Sequence, residues 1–384
     1  MKVLQLSQRR VSDLVAYCLA YELEDTVATV TNVERIEVTD AASLEFSRRC
    51  YKLARRLSGS PDIAYGLAPA PRHRIKLDRD YDLFFPIFSH TYELHSLLLV
   101  RNWRQRCGKA VCFITEVGSE AVPSYLVELL AEFDHIFVGC RHGVRQIGQI
   151  TGRPCTYLPL AVDVPKFAPA SLDELRPIDV CNIGRRSAVT HKALLEDADR
   201  RSAFYYFDTI AASGSDRKSR TFRVDAPSEH RRMLATILKH SRIYIANRSY
   251  VNKPGLPPER DEVSSRFYEG AASGTVMVGE APRTEEFRRQ FDWQDALIEM
   301  PFDTEAVGAV LSEIHGNSDR VRAIRRRNVR AAARRHDWLH RLEVVFASLG
   351  LAPTREMLER AQLLERIAAR ADDASRPSLV SMRG

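Results

Sequence analysis

The stretch RFYEGAASGTVMVGE, residues 266–280, places a single carboxylate, Glu269, directly before a run of small residues. The pattern predicts a helix that begins near Ser264 and Ser265 and is followed by an apolar strand. A helix that only packs on a sheet would carry an apolar residue at position 269. Ser265 lies four residues earlier, on the same helical face, and the N–H groups of a first turn attract anions. We therefore expect a polar, partly anionic ligand; the alternative is a glutamate that pairs with a neighbouring arginine.

A basic loop supplies a second group of candidate residues. IGRRSAVTHK (183–192) follows a predicted strand and contains Gly184, Arg185, Arg186 and Lys192. A glycine after a strand lets the backbone approach a bound group closely, and arginine and lysine neutralise anionic charge. Arg185 and Arg186 are alternatives for the same role. A solvated basic loop without a ligand is the other interpretation.

Polar residues also follow two predicted strands in the first half of the chain. His90 lies just past one buried strand, and Glu116 ends the next one, with Gly118 keeping the following loop open. Because ligands of open α/β sheets bind at the carboxyl ends of the strands, both side chains are candidates for contact with a second substrate. For His90 the alternative is a structural histidine, and for Glu116 the assignment rests on position.

Short apolar runs alternate with helical patterns along this first half. Helical spacing at 92–106, 123–133 and 141–150 separates the predicted strands, which are YDLFFPIF (81–88), KAVCFIT (109–115), HIFVGC (135–140) and CTYLPLAV (155–162). Strands that alternate with helices of this length predict parallel βαβ units. Continuous apolar runs are typical of strands that are covered on both faces.

The same alternation restarts after a break. Residues 162–177 contain three prolines and no strong period, which predicts a linker. Strands are predicted next at 178–184, 203–210 and 242–249, and helices at 188–199 and 228–241. The fold class is therefore α/β, with two doubly wound Rossmann-like domains that face a central cleft. The predicted divisions are 1–170, 171–350 and a C-terminal helix with a frayed tail at 351–384.

Composition limits the class of protein. The 384 residues are 45% hydrophobic, and no run approaches the roughly 20 apolar residues that span a bilayer. The N-terminus has no apolar signal region. Seven scattered cysteines without a C-x-x-C pair argue against a disulfide framework or a zinc site and fit a reducing cytoplasm. The net charge of +7 favours anionic partners without choosing among nucleotides, nucleic acid and membranes.

Four segments in order carry a resemblance to a known family. LPLAVDVPKFAP (158–169) resembles the P-x-G-V-D-x-x-x-F-x-P segment that leaves the first domain of family 4 type, GT-B fold glycosyltransferases, with Ala161 at the glycine. IGRRSAVTHK resembles their G-R loop, and SRFYEGAASGTVMVGE (265–280) resembles their E-A-x-A-x-G helix and strand. RRRNVRAAARRHDWLHRLEVVF (325–346) resembles the C-terminal helices of the spore-maturation-protein-like branch. Residues 1–80 offer no motif.

The resemblance implies roles for the residues that carry it. In the second domain, Glu269 would bind the ribose hydroxyls of a nucleotide-sugar donor, since a carboxylate can accept from both hydroxyls of a cis-diol. The other donor-binding residues implied are Gly184, Ser264, Ser265 and Gly270. The implied catalytic residues are Arg185, Arg186, Lys192, Asp261 and His90, and Glu116 would bind the acceptor.

Asp261 departs from the family pattern. It occupies the position of the family's earlier acid, where a glutamate is usual, and aspartate is one methylene shorter. Its neighbours Glu259 and Glu262 could substitute for it, and a loop acid or helix cap is the structural alternative.

The function that the resemblance implies is sugar transfer from a nucleotide-diphosphate sugar to an acceptor hydroxyl. Retention by front-side displacement is expected, without a metal ion or other cofactor. The acceptor would be a carbohydrate, a glycolipid or a small molecule, and the location cytoplasmic, with peripheral contact to the inner face of the membrane. Alternatives are a non-catalytic nucleotide-sugar binding or scaffold protein, a nucleotide-sugar epimerase, a phosphorylase and a basic nucleic-acid-binding protein.

Other sequence features argue against some of these classes. No G-x-G-x-x-G follows a strand, which disfavours a nicotinamide enzyme, and no recognised nucleic-acid motif accompanies the charge, so nucleic acid is not expected as a partner. His336 and Asp337 lie in a helical segment that Trp338 anchors to the core, and we assign them no catalytic role. The arginine-rich run 320–335 is predicted to be a solvated helix, with an anionic membrane surface as the alternative.

Overall fold

A computed structural model describes residues 1–69, 75–117, 122, 124–208, 222–251 and 261–373. The strands are β1 (Lys2–Ser7), β2 (Asn32–Glu37), β3 (Tyr81–Phe84), β4 (Ile87–His90), β5 (Cys107–Glu116), β6 (His135–Val138), β7 (Cys155–Tyr157), β8 (Ile178–Asn182), β9 (Tyr205–Phe207), β10 (Ser241–Ile245), β11 (Val276–Gly279) and β12 (Ile298–Glu299).

Fifteen α-helices lie in the described part of the chain, together with 3₁₀ helices at Val15–Tyr17 and Thr91–Leu99. The α-helices are α1 (Cys18–Val30), α2 (Ala41–Ser58), α3 (Pro61–Leu67), α4 (Trp103–Arg106), α5 (Ser124–Ala131), α6 (Arg141–Thr151), α7 (Val164–Phe167), α8 (Ala188–Arg201), α9 (Pro227–Lys239), α10 (Ser265–Ser273), α11 (Glu285–Gln290), α12 (Val307–His315), α13 (Ser318–Arg335), α14 (Trp338–Ser348) and α15 (Arg355–Asp373).

The chain divides into two compact units. Unit 1 comprises the described residues of 1–159, 223–228 and 341–357, and unit 2 those of 160–222, 229–340 and 358–384. The sequence pattern had put the boundary between residues 170 and 171. The polypeptide also returns to unit 1 after residue 340, where the sequence pattern shows no break.

Unit 1 is built on a fully parallel sheet. Its strands follow the order β2-β1-β3-β5-β6-β7, and β4 pairs with β5. Buried apolar side chains from the central strands form one core, among them Leu4, Phe84, Ile114 and Ile136. Parallel strands that are covered on both faces require such apolar runs, which is why the sequence pattern revealed them.

Several predicted bounds in unit 1 are corrected. The predicted strand 81–88 is two strands, because Pro86 lies between β3 and β4 and has no N–H for the ladder. The predicted helix 92–106 is a 3₁₀ helix followed by the short α4. Gly108, expected to end that helix, lies inside β5.

Unit 2 contains a second parallel sheet with the strand order β12-β11-β10-β8-β9. Its core includes Val180, Ile243, Ile245 and Val278. The α/β fold class with two doubly wound domains is therefore confirmed. All seven cysteines are free thiols.

The predicted linker at 162–177 is a packed segment of unit 2. Val162, Val164 and Phe167 are fully buried, and α7 begins at Val164 with a proline in its first turn. Proline is accepted there because the first N–H groups of a helix have no partner within it. One proline of this segment therefore lies in the first turn of a short helix, and the other two follow the helix. The segment is not a flexible linker.

Asp337 holds this packed segment to the end of α13. Its Oδ2 accepts from the Val164 N–H at 2.9 Å, and its Oδ1 accepts from the Leu339 N–H at 2.8 Å. Arg360 donates to both oxygens at 2.8 Å, and its Nη2 also lies 2.8 Å from Asp163 Oδ1. Trp338 beside it is fully buried. The aspartate is thus saturated by structural partners, which agrees with the absence of a catalytic role.

We predict that Asp337→Ala lowers the free energy of unfolding by about 3–5 kcal/mol, because it removes the fully buried carboxylate that accepts from Val164, Leu339 and Arg360. The matched control is Asp372→Ala, whose pair with Arg330 at 2.9 Å is 41–43% exposed. It should change stability by less than about 1 kcal/mol. Urea unfolding of both variants measures the difference, and equal losses would show that the Asp337 network has no special weight.

Candidate ligand-binding site

The carboxyl edge of the unit 2 sheet is where its strand order reverses. From β8 the chain goes to β9 on one side and then to β10 on the other. A crevice between two such strands is the usual ligand position in open α/β sheets. The loop after β8 carries Gly184–Arg186, the loop after β10 carries residues 246–251, and α10 begins nearby.

Gly184 adopts a conformation that requires glycine. Its φ is +84°, and a Cβ at this position would lie 2.3 Å from Nη2 of Arg266. Arg266, in the first turn of α10, donates from Nε to the Ile183 carbonyl at 3.3 Å. The turn after β8 and the start of α10 therefore meet through one arginine.

Arg185 and Arg186, alternatives in the sequence, have different environments. Arg186 is buried and donates from Nη1 to Asp208 Oδ1 at 2.5 Å, while the Gly184 N–H donates to Oδ2 of the same aspartate at 2.8 Å. Arg185 is half-buried, and its guanidinium lies 5.2 Å from the centre of the Tyr250 ring. Arg186 thus fixes the loop through Asp208, and Arg185 contacts Tyr250 in the loop after β10.

Lys192 is not brought to this group. It lies in α8 with its side chain 80% exposed, and its Nζ is 3.7 Å from Glu196 Oε1 one turn later. Lys192 was chosen from its distance in sequence to the glycine, and that distance does not determine which way a helical side chain points.

The first turn of α10 has no side-chain cap. Ser264 occupies the N-cap position, but its Oγ donates to the Asn247 carbonyl at 2.7 Å instead of accepting from the turn. Ser265 is half-buried as the first helical residue. A helix of nine residues thus presents uncapped N–H groups beside Arg266, which is the electrostatic setting of an anion site.

Glu269 forms a buried ion pair with an arginine from another helix. Arg231 of α9 donates to its Oε1 at 2.5 Å, and both side chains are 4% exposed. This is the arginine pairing that the sequence left open as the alternative. The other oxygen, Oε2, accepts no hydrogen bond from the described residues, so the pair leaves one acceptor for a ligand hydroxyl.

The small residues after Glu269 are explained by close packing. A Cβ on Gly270 would lie 2.6 Å from the Met277 sulfur of β11, and Gly274 ends α10 at φ +64°. Gly270 lets α10 lie directly on β11, and Gly274 supplies the left-handed turn that ends the helix. Gly270 therefore positions the helix that carries Glu269.

Asp261 is engaged by the loops that follow β10 and β11. Arg248 donates to its Oδ1 at 3.2 Å, and the Arg283 N–H donates to its Oδ2 at 2.8 Å. Arg248 also donates to Glu280 Oε1 at 2.8 Å. Both Asp261 oxygens thus have structural partners; of the two neighbouring acids, Glu262 is half-buried and Glu259 lies outside the described residues.

Four residues of this edge were missed from the sequence: Asp208, His230, Arg231 and Arg266. Burial, and next the charge of Arg231, lowers the pKa of His230, which favours the neutral imidazole. Each of the four lies outside the glycine-centred motifs or has a partner far away in sequence. The available signal in the sequence was Arg266, a cation in the first turn of α10. A cation there is unfavourable with respect to the helix dipole unless an anion binds nearby, so its presence indicates an anion site.

In unit 1 the two predicted acceptor residues lie side by side. His90 and Glu116 end adjacent parallel strands and are partners in their register. The His90 ring packs edge-on against Tyr17, with centroids 5.9 Å apart, while Glu116 is exposed. Gly118 lies outside the described residues.

A buried acid that the sequence analysis overlooked lies near His90. Glu93 accepts from the Ser89 N–H at 2.7 Å and from Ser12 Oγ at 2.9 Å. Burial raises its pKa to about 7. Ser12 follows β1, the strand at which this sheet also reverses its order. A carboxylate inside the apolar stretch SHTYELHSLLL was the available signal.

We predict that unit 1 loses stability as the pH rises from about 5 to 8 because of Glu93. A raised carboxyl pKa means that the folded state holds a proton that the unfolded state has released, so stability is greatest at low pH and falls until the pH passes the folded pKa. Glu93→Gln should reduce this loss by about 1–3 kcal/mol. Urea unfolding at pH 5, 6.5 and 8 measures it, with exposed Glu116→Gln as the control that keeps the wild-type slope. An unchanged slope in Glu93→Gln would contradict the assignment.

Comparison with known proteins bears on this site and this fold. Residues 186–347 match the family model described as "Glycosyl transferase-like", which covers most of unit 2. No curated protein sequence matches the chain.

Among solved structures, an α-glucosyltransferase in complex with UDP and a 13-mer DNA containing a central A:G mismatch is 11% identical and has a TM-score of 0.51, covering 91% of this chain and 100% of its own. A putative UDP-N-acetylglucosamine 2-epimerase from Listeria monocytogenes is 12% identical with a TM-score of 0.42 over 87% of this chain and 94% of its own. TarM is 8% identical with a TM-score of 0.41, and the matched region spans 69% of this chain and 54% of TarM.

At this level of identity the structural likeness speaks for the fold alone. The chain has the α/β fold of GT-B glycosyltransferases, and the sequence of its second half is similar to that of the Glycosyl transferase-like family.

Proposed function

We propose that this protein transfers a sugar from a nucleotide-diphosphate sugar to an acceptor hydroxyl, with retention and without a metal ion. The observation that carries the proposal is the uncapped N-terminus of α10. Arg266 in its first turn donates to the Ile183 carbonyl beside Gly184, at the edge where the sheet reverses its strand order. The family match over residues 186–347 supports the same class.

The donor would lie along this edge with its diphosphate at the first turn of α10. Arg185, in the turn after β8, and Arg266, in the first turn of α10, are the cations that would stabilise the departing diphosphate. Preorganised donors and cations of this kind stabilise charge that develops in the transition state. They would also remove the need for a divalent ion.

Glu269 would bind the ribose through its open Oε2. The ion pair with Arg231 fixes the orientation of the carboxyl group, so a ribose hydroxyl could donate a hydrogen bond to Oε2. The Arg231–Glu269 pair is therefore compatible with ribose binding, because it positions the carboxyl group and leaves Oε2 available.

Retention by front-side displacement needs no protein nucleophile. In such a step the bond from the sugar to the diphosphate breaks, the acceptor oxygen attacks the same face, and a diphosphate oxygen takes the acceptor proton. The acceptor, a carbohydrate, glycolipid or small molecule, would bind unit 1 near His90, Glu93 and Glu116.

We predict that Glu269→Gln weakens nucleotide binding by at least about 10-fold, since a hydrogen bond to a charged group contributes about 1.5–3 kcal/mol. Thermal shift and calorimetry with UDP first, then GDP, ADP, dTDP and CMP, measure the affinities. The 2′,3′-dideoxy form of the nucleotide lacks the ribose hydroxyls. It should therefore bind wild type weakly, and Glu269→Gln should bind it with the same affinity as wild type does. Exposed Glu196→Gln is the matched control and should bind as wild type does.

Two variants test the phosphate end of the same site. Gly184→Ala displaces Arg266 and strains the turn, whereas Gly152→Ala imposes the same backbone strain at φ +64° with open space around it. Both should lose a similar ~1 kcal/mol of stability, but only the first should lose nucleotide affinity. If no nucleotide binds wild type, the donor assignment fails.

Transfer itself distinguishes the proposal from its rivals. Incubation with the stabilising nucleotide sugar and a panel of acceptors, including DNA, should yield a product with the donor's anomeric configuration by NMR, and EDTA should leave the rate unchanged. Conversion of the nucleotide sugar without an acceptor would indicate an epimerase, and binding without turnover a scaffold protein.

We also propose cytoplasmic location with peripheral contact to an anionic membrane, through α2 and not through the arginine run 320–335. Carboxylates already pair with most of that run, namely with Arg320, Arg322, Arg327, Arg330, Arg334 and Arg335. On α2, by contrast, Phe46, Leu53 and Leu57 share one face and are 57%, 61% and 78% exposed. Basic residues end this helix, and exposed apolar side chains with flanking cations favour anionic bilayers.

We expect the double variant Leu53→Ser/Leu57→Ser to lose at least about 10-fold in binding to phosphatidylglycerol-containing vesicles, because each exposed leucine contributes about 1.5–3 kcal/mol when it enters an apolar phase. Leu358→Ser, at an exposed leucine of α15, is the control. Vesicle sedimentation measures binding, and equal sedimentation of all three proteins would contradict the proposed surface. No helix in the described part of the chain is long and apolar enough to cross a bilayer.

A further inference from the structure

A second cavity lies at the opposite edge of the unit 2 sheet. Its volume is about 290 Å³, and its walls include the starts of β10 and β11, the segment before β8 and one face of α13. Its charged lining residues include Arg176, Arg242, Arg322, Arg325, Asp173 and Glu174. Ile243 and Val276 line its apolar side. Strands begin at this edge, so it is separate from the crevice at Gly184.

Arg176 is a buried arginine with an unused donor. It is 3% exposed, and its Nη1 and Nη2 donate to the carbonyls of Ser241 and Ser273 at 2.8 Å. These bonds hold the end of α10 to the start of β10. Its Nε has no hydrogen-bond partner among the described residues.

Arg325 differs from the other arginines of the cavity. Arg242 pairs with Asp179 at 3.2 Å, and Arg322 pairs with Asp319. Within the described residues Arg325 has no carboxylate within 4.0 Å, and its Nε and Nη2 are buried without hydrogen-bond partners. Buried polar groups are nearly always hydrogen-bonded, so such donors call for a missing acceptor.

The two guanidinium groups also disfavour each other's charge. Burial, and next the charge of Arg325, lowers the pKa of Arg176 to about 9. Burial likewise lowers the pKa of Arg325, and the charge of Arg242 acts in the same direction, while Asp173 and Glu174 in the cavity lining act in the opposite one. Two like charges in a desolvated place are unfavourable until an anion joins them.

We propose that this cavity is a second ligand site, specific for a phosphate monoester with a small apolar body. The phosphate oxygens would accept from Arg325 Nε and Nη2 and from Arg176 Nε. Ile243 and Val276 supply an apolar wall beside them. The volume exceeds what a bare phosphate fills and lies at the lower end of small-molecule pockets. Because Arg176 lines the cavity and donates to the Ser273 carbonyl at the end of α10, occupancy would stiffen the helix that carries Glu269.

Titration calorimetry with inorganic phosphate and with phenyl phosphate, at an ionic strength fixed with NaCl, tests the proposal. Wild type should bind both, with phenyl phosphate at least three-fold tighter. Arg325→Gln should weaken both by at least ten-fold. Arg322→Gln, which removes an exposed and already paired arginine of the same cavity, should bind as wild type does.

Two further measurements separate this site from the proposed donor site and from a folding defect. Arg266→Gln should keep phenyl phosphate binding, and Arg325→Gln should keep nucleotide binding; the reverse pattern would place the phosphate at α10 and overturn the proposal. Without phosphate, Arg325→Gln should melt at or above the wild-type temperature, because it removes an uncompensated cation. A lower melting temperature together with unchanged phosphate affinity would show that the charge of Arg325 is already balanced within the protein, and it would overturn the proposal.

Discussion

Parallel strand pairing is the constraint on which the rest of this structure depends. In a parallel sheet every strand ends at the same edge, so loops that are far apart in sequence emerge together. In unit 2 this places Gly184, Asp208, Arg248 and the start of α10 at one edge, and the amino ends of the same strands at the other. In unit 1 the same constraint sets His90 beside Glu116. The candidate site at the carboxyl edge of the unit 2 sheet and the cavity at its other edge therefore both follow from parallel strand pairing.

Desolvated charges form a second layer of organisation. Arg231 with Glu269, Arg186 with Asp208 and Arg360 with Asp337 are all pairs in which burial requires a partner. Each joins two elements that are separate in sequence, so each also fixes a helix or loop in position. Arg176 and Arg325 break the pattern, because they lie close together without a carboxylate partner among the described residues. The contrast within one unit is what makes their cavity informative.

Much of the fold was predictable because helices and strands follow from the spacing of apolar residues within short segments. Apolar runs marked β5, β6, β8 and β10 to within a few residues, and the periodic stretches between them marked α6, α8 and α9. Prolines were less reliable guides, since those in residues 162–177 belong to a packed helix and its exits. Gly184 could be singled out from its place after an apolar strand, and its φ of +84° is a turn conformation that favours glycine.

The sequence by itself determined the α/β class, the two-domain plan and the segments that carry the candidate site. Only the tertiary structure decided that Arg186 is held by Asp208, that Glu269 is paired with Arg231, that Asp261 holds two loops and that Glu93 is buried. The physical reason is the range of the interactions. Helix and strand formation depend on neighbours within a few residues, whereas the partner of a buried charge lies on another element, 38 residues away for Arg231 and Glu269.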